Sequence, residues 1–364
     1  MNRQEAIALW AEDREFFAQR GVTLLDNVTS YIPDEYQHDY RLAMDAQPEL
    51  AMTSPNSAIP AMLTTMIDPK VFRALFAPNK AATILTEQRR GTWVDDTLML
   101  PATEAVGEVS SYGDYATSGD VSSNMNWPQR QAYLFQVVKQ YGERELERAG
   151  LARINWVAEL DYSAALMLNK FSNLTYFYGV RALQNYGLLN DPNLPPVLAP
   201  ALKSWGGTSW YNNGAVVATA NEIFLDVENT FAQLVANSAG LIDRETKMTL
   251  ALSPQSEAAF TTTNSFNVNV SDLLKKNFPN LRVETAVQYG EYSASNPQGN
   301  PAGNMMQLIA DEVEGQETGY AAYNEKMRAH KLIPDLSSFK QKVSAGTWGA
   351  ILRQTFGIQG MVGI

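Results

Sequence analysis

The chain has 364 residues, 45% of them hydrophobic, which is enough to bury a substantial core and more than a single core usually organises, so two lobes are expected. It contains no cysteine and only two histidines, His38 and His330. That composition removes disulfides, thiolate ligands and cysteine nucleophiles, leaves almost no material for a histidine metal site or a Ser-His-Asp relay, and fits assembly in a reducing cytoplasm. Lys and Arg number 28 against 39 Asp and Glu, a net charge of −11 that has the wrong sign for wrapping nucleic acid over the whole surface. No apolar run reaches the roughly 18–20 residues of a membrane span, and no secretion signal is visible.

Residues 1–25 read as a helix with Ile7, Trp10, Phe17 and Val22 as its apolar positions. Residues 29–60 lose that period. Pro33, Pro48, Pro55 and Pro60 deny the stretch regular pairing, and it reads as an extended arm that gains order against another surface. A short helical stretch with Val71, Leu75 and Phe76 leads to an expected strand, Ala82-Thr83-Ile84-Leu85.

Residues 93–100 are strand-like and residues 131–141 alternate as a returning strand. Between them, residues 107–126 are rich in Ser, Gly and Asp, with Val109, Tyr112, Tyr115, Val121 and Met125 as apolar or aromatic anchors. Compact domains rarely hold polar tips longer than about 12–15 residues without a use, so this hairpin is expected to contact a neighbour.

Gly150 is expected to separate the acidic and basic segment 143–148 from the longest helix, whose stripe is Ile154, Val157, Leu160, Ala164, Leu168 and Phe171, with Arg153, Glu159 and Lys170 on the outer face. The breaker cluster at 190–196 and the irregular run at 205–210 mark a lobe boundary. Thr219 and Glu222 form a capping box ahead of Ile223, Val227, Phe231 and Leu234. Met248, Leu250 and Leu252 alternate as a strand, and Ser253-Pro254 starts a helix. Another short helix is expected to begin at Ser271-Asp272 and stop at Phe278-Pro279. Leu281, Val283, Thr285 and Val287 alternate as a strand, residues 305–310 form the next, and the glycine-punctuated end, 343–364, reads as built into a sheet. The second lobe is α+β.

The residues that could carry chemistry lack diagnostic spacing. Asp95-Asp96, the set Glu143, Glu145 and Glu147, and the set Asp311, Glu312 and Glu314 could serve as acid-base or hard-metal groups, but the second is interleaved with Arg144 and Arg148 as a solvated face, and the third lacks the calcium-loop pattern. Gly206-Gly207-Thr208 is not a phosphate loop. Arg89-Arg90 and Lys275-Lys276 are small basic pairs suited to the surface or to pairing between subunits. Trp93, Trp127, Trp205, Trp210 and Trp348 could stack a sugar or base, although core packing is the commoner use.

The order of parts resembles the Hong Kong 97-type major capsid proteins of tailed bacteriophages over nearly the whole chain. The likeness rests on the arm, the strand entering a polar hairpin, the return Trp127-Pro128-Gln129-Arg130-Gln131-Ala132-Tyr133-Leu134, and the run Tyr141-Gly142-Glu143-Arg144-Glu145-Leu146-Glu147-Arg148 leading to a long helix. Gly187-Leu188-Leu189-Asn190-Asp191, the helix and strand ending in Ser253-Pro254, and the final run from Gly346 to Ile358 complete it. The resemblance implies an α+β fold with an amino-terminal arm (1–60), a peripheral domain (61–185) holding an extended loop (about 93–140) and a spine helix (about 151–174), an axial domain (186–325) and a return to the peripheral domain (326–364).

It further implies a structural subunit of the virion, assembled in the host bacterial cytoplasm through hexamers and pentamers into an icosahedral shell that encloses double-stranded DNA without sequence-specific binding. No catalytic, metal or cofactor residues are implied. Expected partners are other copies of the chain, a separate scaffolding protein because the arm is too short to contain one, a portal and a decoration protein. Candidate contacts between subunits are Tyr112, Tyr115, Val121, Met125, Trp127, Arg130, Glu143 and Arg144. The alternatives are an encapsulin-like compartment shell and, from another class, a soluble carboxylate-dependent hydrolase or carbohydrate-binding protein.

Overall fold

A computed structural model describes residues 78–115, 117–180 and 182–364. The expected helix at 1–25, the arm at 29–60, the stretch around Val71 and His38 lie outside them. The first element is a single helical turn, α1 (Ala81–Ile84), followed by strand β1 (Thr86–Arg89). The sequence reading had a strand at 82–85. The apolar residues Ala81, Ile84 and Leu85 are in fact spaced for a helix face, and all three are buried; the Ala81 amide donates to Asn173 Oδ1 at 3.0 Å.

Strands β2 (Thr97–Met99), β3 (Ala102–Gly107), β4 (Val121–Asn126) and β5 (Gln129–Gln131) form a long ribbon, and β6 (Tyr133–Gly142) leads into α2 (Glu143–Leu151) and α3 (Trp156–Tyr178). Gly150 does not separate the two helices but lies inside α2. The break falls at Arg153, which takes φ 58°, and Asn155 then caps α3 by accepting from the Ala158 amide at 3.2 Å. The helix α3 is about 34 Å long. Ala164 and Leu168 are its buried stripe, Phe171 packs on Phe135 with centroids 4.5 Å apart, and the final turn, Asn173 to Phe177, is enclosed. Lys170, expected on the solvent face, is buried, and burial lowers its ammonium below the usual lysine range.

Next come the small hairpin β7 (Tyr211–Asn212) and β8 (Ala215–Val216), then α4 (Ala220–Asn237), β9 (Met248–Leu252), α5 (Pro254–Ala258), α6 (Val270–Asn277), β10 (Leu281–Thr285), β11 (Met305–Ala310), the hairpin β12 (Glu312–Val313) and β13 (Gln316–Glu317), β14 (Gly319–Ala329), β15 (Ile333–Asp335), β16 (Ser338–Leu352) and β17 (Ile358–Val362). The helix α6 starts at Val270, one residue earlier than read, and Asn269 caps it, its Oδ1 accepting from the Asp272 amide at 2.7 Å. Val287 leaves the β10 alternation for a 3-10 turn that drops Tyr289 into the core.

The capping box of α4 is present. The Glu222 amide donates to Thr219 Oγ1 at 3.4 Å and the Thr219 amide to Glu222 Oε2 at 2.8 Å, while Ser204 N–H reaches Glu222 Oε1 at 2.6 Å. Burial pushes the Glu222 carboxyl up, but these hydrogen bonds outweigh it and hold the group at about 2. A carboxyl lowered on folding stabilises above its unfolded value and loses that contribution as pH falls toward 2. Glu222→Gln is therefore expected to lower stability at pH 7 by about 1 kcal/mol and to flatten the acid limb of a melting-temperature profile between about pH 4.5 and 2.

Two sheets result. In the first, β1 runs parallel to β14, β14 antiparallel to β16, and β16 antiparallel to β6, with β15 folded back on the beginning of β16. In the second the order is β10-β9-β11-β17, with β9 and β10 parallel and the other pairs antiparallel. Every residue of β9 and β11 is buried because both faces are covered. Met248, Leu250, Leu252, Met306 and Leu308 meet Ile223, Val227, Leu234 and Leu274 from α4 and α6. On the reverse face Ala251, Met305 and Ile309 meet Phe177, Leu188, Tyr289, Ala350 and Leu352, so the second sheet and the end of α3 share one core.

The division read at 325/326 falls inside β14 of the first sheet, and β17, read with the peripheral unit, completes the second sheet.

Candidate inter-subunit surface

The ribbon is the part of the described chain with least support from its own subunit. At its base β2 pairs with β5; beyond it β3 pairs with β4 in the register Thr103↔Met125, Ala105↔Ser123 and Gly107↔Val121. Cross-strand partners share a face. Val121 and Met125 therefore lie on one face with no charged neighbour, whereas Glu104 and Val106 occupy the other with Asn124 and Ser122.

All residues of β3 and β4 are exposed. The run read as a polar tip at 107–126 is in part this strand pair, and the turn proper is 108–120. Low β-propensity at Ser122, Ser123 and Asn124 hides the strand in the sequence. The turn is closed by Glu108 N–H to Asp120 O at 2.9 Å and by the Ser110 and Ser118 hydroxyls at 3.2 Å. Tyr112 and Tyr115 stand out at 92% and 98% exposure, with Val121 at 80% and Met125 at 55%. A two-stranded ribbon in water is marginal by itself.

The other candidates lie elsewhere. Trp127 is half exposed where the ribbon meets its base. Arg130 is not a surface group: it is 7% exposed, pairs with buried Asp191 at 2.8 Å and stacks on Tyr186 at 4.8 Å. It points inward because β5 turns that side of the strand toward segment 184–191, where Gln131 N–H donates to Gln184 O at 3.0 Å and Asn185 Nδ2 to Gln131 O at 3.1 Å. Glu143 and Arg144 are exposed on α2, which buries nothing. They sit at the far end of β6, about 33 Å of strand from the ribbon base, so the eight candidates do not form one site. Sequence reasoning passed over Leu336, fully exposed in the β15–β16 turn, and Phe266, 84% exposed in the turn at 264–268. A large apolar residue inside a polar turn was the signal available.

Several of the groups considered for chemistry have structural partners. Asp95 Oδ2 accepts from Thr92 N–H at 2.6 Å, and Asp311 Oδ1 from the Thr249 hydroxyl at 2.6 Å. Glu314 at φ 51° and Gly315 at φ 74° make the turn of the β12–β13 hairpin. Arg90 lies over the Tyr320 ring at 5.0 Å, and Arg89 Nε donates to Asn324 O at 3.1 Å. Trp348 donates to Arg90 O at 2.9 Å, Trp210 to Asp226 Oδ2 at 2.7 Å and Trp205 to Ser209 O at 3.1 Å. Lys275 and Lys276 are exposed in the last turn of α6, where positive charge favours the helix end. Among the described residues no group of three His, Asp or Glu is placed to hold a metal, and no helix is long and apolar enough to cross a membrane.

Comparison with known proteins agrees with this architecture. No curated protein matches by sequence. The capsid of Myoviridae phage XM1 aligns with a TM-score of 0.65 at 13% identity, covering 85% of this chain and all of that one. The capsid of the empty GTA particle gives 0.54 at 10% identity over 85% and 99% of the two chains, and Gordonia phage Cozz gives 0.51 at 10% over 87% and 99%. These likenesses establish the fold, which is the Hong Kong 97-type capsid fold. The model of the Pa193 gp26 major capsid protein matches residues 50–363. With that match across most of its length, the chain belongs to the Pa193 gp26 major capsid protein family, a structural, shell-forming component of a phage virion and not an enzyme.

Proposed function

We propose that copies of the chain assemble through hexamers and pentamers into an icosahedral head shell, with the ribbon at 102–126 clamping a neighbouring subunit. The peripheral lobe is built on the first sheet and α3, and the axial lobe on the second sheet with α4 and α6. The observation that carries the reading is the ribbon, whose apolar side chains Tyr112, Val121 and Met125 find no cover among the described residues of their own subunit. Shell contacts that are individually modest become durable when every subunit makes several at once. A chain with net charge −11 avoids capture by DNA during assembly and encloses it without sequence-specific contact. A separate scaffolding protein, a portal and a decoration protein are the remaining partners of this reading.

The test is the triple variant Tyr112→Ser, Val121→Ser, Met125→Ser. Surface substitutions of this kind move stability by about 0.5 kcal/mol or less, so the subunit's urea midpoint should stay in place. The yield of sedimenting shells, produced with the other head proteins of its phage, should fall at least about tenfold. Undiminished shell yield would remove the clamp from the proposal.

A further inference from the structure

The ribbon is a lever, and its root decides where its far end arrives. Residues 97–107 extend up to about 35 Å, so a swing of about 10° at the root displaces the far end by about 6 Å. The return leg is tied through Arg130 to Asp191 at 2.8 Å. The entering leg leaves β1 after Arg89, where Arg90 N–H donates to Tyr323 O at 2.8 Å and Trp348 donates to Arg90 O at 2.9 Å. Gly91 then takes φ 68°, and a turn follows in which Asp95 N–H donates to Thr92 O at 3.2 Å while Asp95 Oδ2 accepts from the Thr92 hydroxyl at 2.9 Å. Trp93 is the large side chain carried by that turn. Beyond it, Leu98 and Leu100 pack on the cluster of Tyr320, Ala322, Trp348 and Ile351.

Trp93 lies across the outer face at the end of β14. Ala329 pairs with Val343, whose side chain packs toward Leu168 of α3, so Arg328 and His330 on either side of Ala329 point away from that helix. The Arg328 guanidinium lies over the indole at 5.4 Å, and the His330 ring meets it in a T-shaped contact with centroids 5.9 Å apart and planes at 65°. Both partners are themselves held. Arg328 pairs with Glu325 at 3.5 Å and stands opposite Ser344. His330 N–H donates to Lys342 O at 2.9 Å, its Nε2 is hydrogen-bonded to the Ser344 hydroxyl at 2.6 Å, and its carbonyl accepts from Gln341 Nε2 at 2.8 Å.

We infer that Trp93 is a positioning residue for the ribbon, a clasp that bears on Arg328 and His330 of its own subunit and fixes the angle at which the entering leg leaves the first sheet. The contacts of Leu98 and Leu100 are apolar and non-directional, so they set depth more than angle. A planar indole held at two points, by a guanidinium above it and an imidazole against it, resists rotation as well as sliding. The clasp belongs to the single subunit and rests on the clamp proposed above only for its effect on the shell.

Because the chain has no cysteine, a pair of spin labels can be introduced at Ser123→Cys on β4 and Gln140→Cys on β6, both exposed, without removing any native thiol. The distance between them is measured by pulsed electron resonance on unassembled full-length chain, diluted with unlabelled chain so that only separations within one subunit are read. Trp93→Ala should widen the distance distribution at least about twofold. Trp93→Phe keeps an aromatic face and should restore most of the narrow distribution. Arg328→Gln keeps the indole but removes the cation over it, and should give an intermediate width with a melting temperature within about 2 °C of the parent, since Arg328 is exposed. If Trp93→Ala folds poorly, the width in Arg328→Gln decides. Distributions unchanged in Trp93→Ala and Arg328→Gln would mean that Leu98 and Leu100 hold the angle, which overturns the inference and leaves the clamp standing. A wide distribution in Trp93→Ala that Trp93→Phe does not narrow, with Arg328→Gln like the parent, would trace the effect to lost packing volume and overturn it too. Widening as expected with undiminished shell yield would establish the clasp and count against the clamp.

Discussion

Asp226→Ala is expected to destabilise the subunit by about 3–5 kcal/mol, enough to leave much of it unfolded at growth temperature. Asp226 is 1% exposed on α4, and its Oδ2 accepts from Lys203 Nζ at 2.5 Å and from the Trp210 indole at 2.7 Å. Lys203 is 4% exposed and Trp210 fully buried, so removing the carboxylate strands an ammonium and an N–H away from water together. The size of the effect comes from that stranded charge more than from the pair's net worth, because desolvating both ions offsets most of their attraction. The double replacement Lys203→Met, Asp226→Leu should therefore recover at least about half of the loss in urea unfolding. A double variant no better than Asp226→Ala would mean that the pair also fixes the path of the loop at 203–210, and that the desolvation account is wrong.

The second large effect is expected at the base of the ribbon. Asp191→Ala leaves the Arg130 guanidinium buried without its carboxylate and should cost about 3–5 kcal/mol. Arg130→Lys should not be neutral, because an ammonium cannot both reach Asp191 and stack flat on Tyr186. A loss of about 1–2 kcal/mol is expected for that variant, read from equilibrium unfolding with the urea dependence unchanged. The pair also joins β5 to segment 184–191, whose Tyr186 carbonyl accepts from Ala350 N–H of β16 at 2.9 Å, so it anchors the ribbon to the first sheet. Shell yield at a temperature where the Arg130→Lys subunit is still folded should fall as well. Normal yield from such a subunit would show that the base does not govern the ribbon's direction.

Several elements were legible before any coordinates because their signals are local. Thr219 and Glu222 start α4, Ser253 accepts from Ser256 N–H at 3.0 Å ahead of Pro254, and the alternation of Met248, Leu250 and Leu252 marks β9. Their information lies within a few residues of the element itself. Errors arose where a distant partner decides. The turn α1 and strand β1 are held by Asn173 and by β14, where Thr86 pairs with Tyr320. A four-residue window contains nothing of either. The break before α3 comes at Arg153, with positive φ, and not at Gly150, because the glycine is exposed and nothing there requires its freedom.

The candidate surface divides in the same way. The exposure of Tyr112, Tyr115, Val121 and Met125 could be anticipated from a long polar run with isolated large side chains, since such residues have no periodic face to bury. Arg130 could not be placed, because its charge says nothing of an aspartate and a tyrosine more than fifty positions later in the chain.

By itself the sequence determined the mixed α+β character, the order of ribbon, long helix and second lobe, and a surface chemistry poor in histidine and free of cysteine, because composition, caps and periodicity act over short range. Only the tertiary structure decided that β17 joins β11, that Arg130 and Lys170 turn inward, and that Arg328, Lys340 and Lys342 share one outer face. Sheet register and burial depend on which distant strand supplies the partner, and that choice is made by the free energy of the whole packed chain.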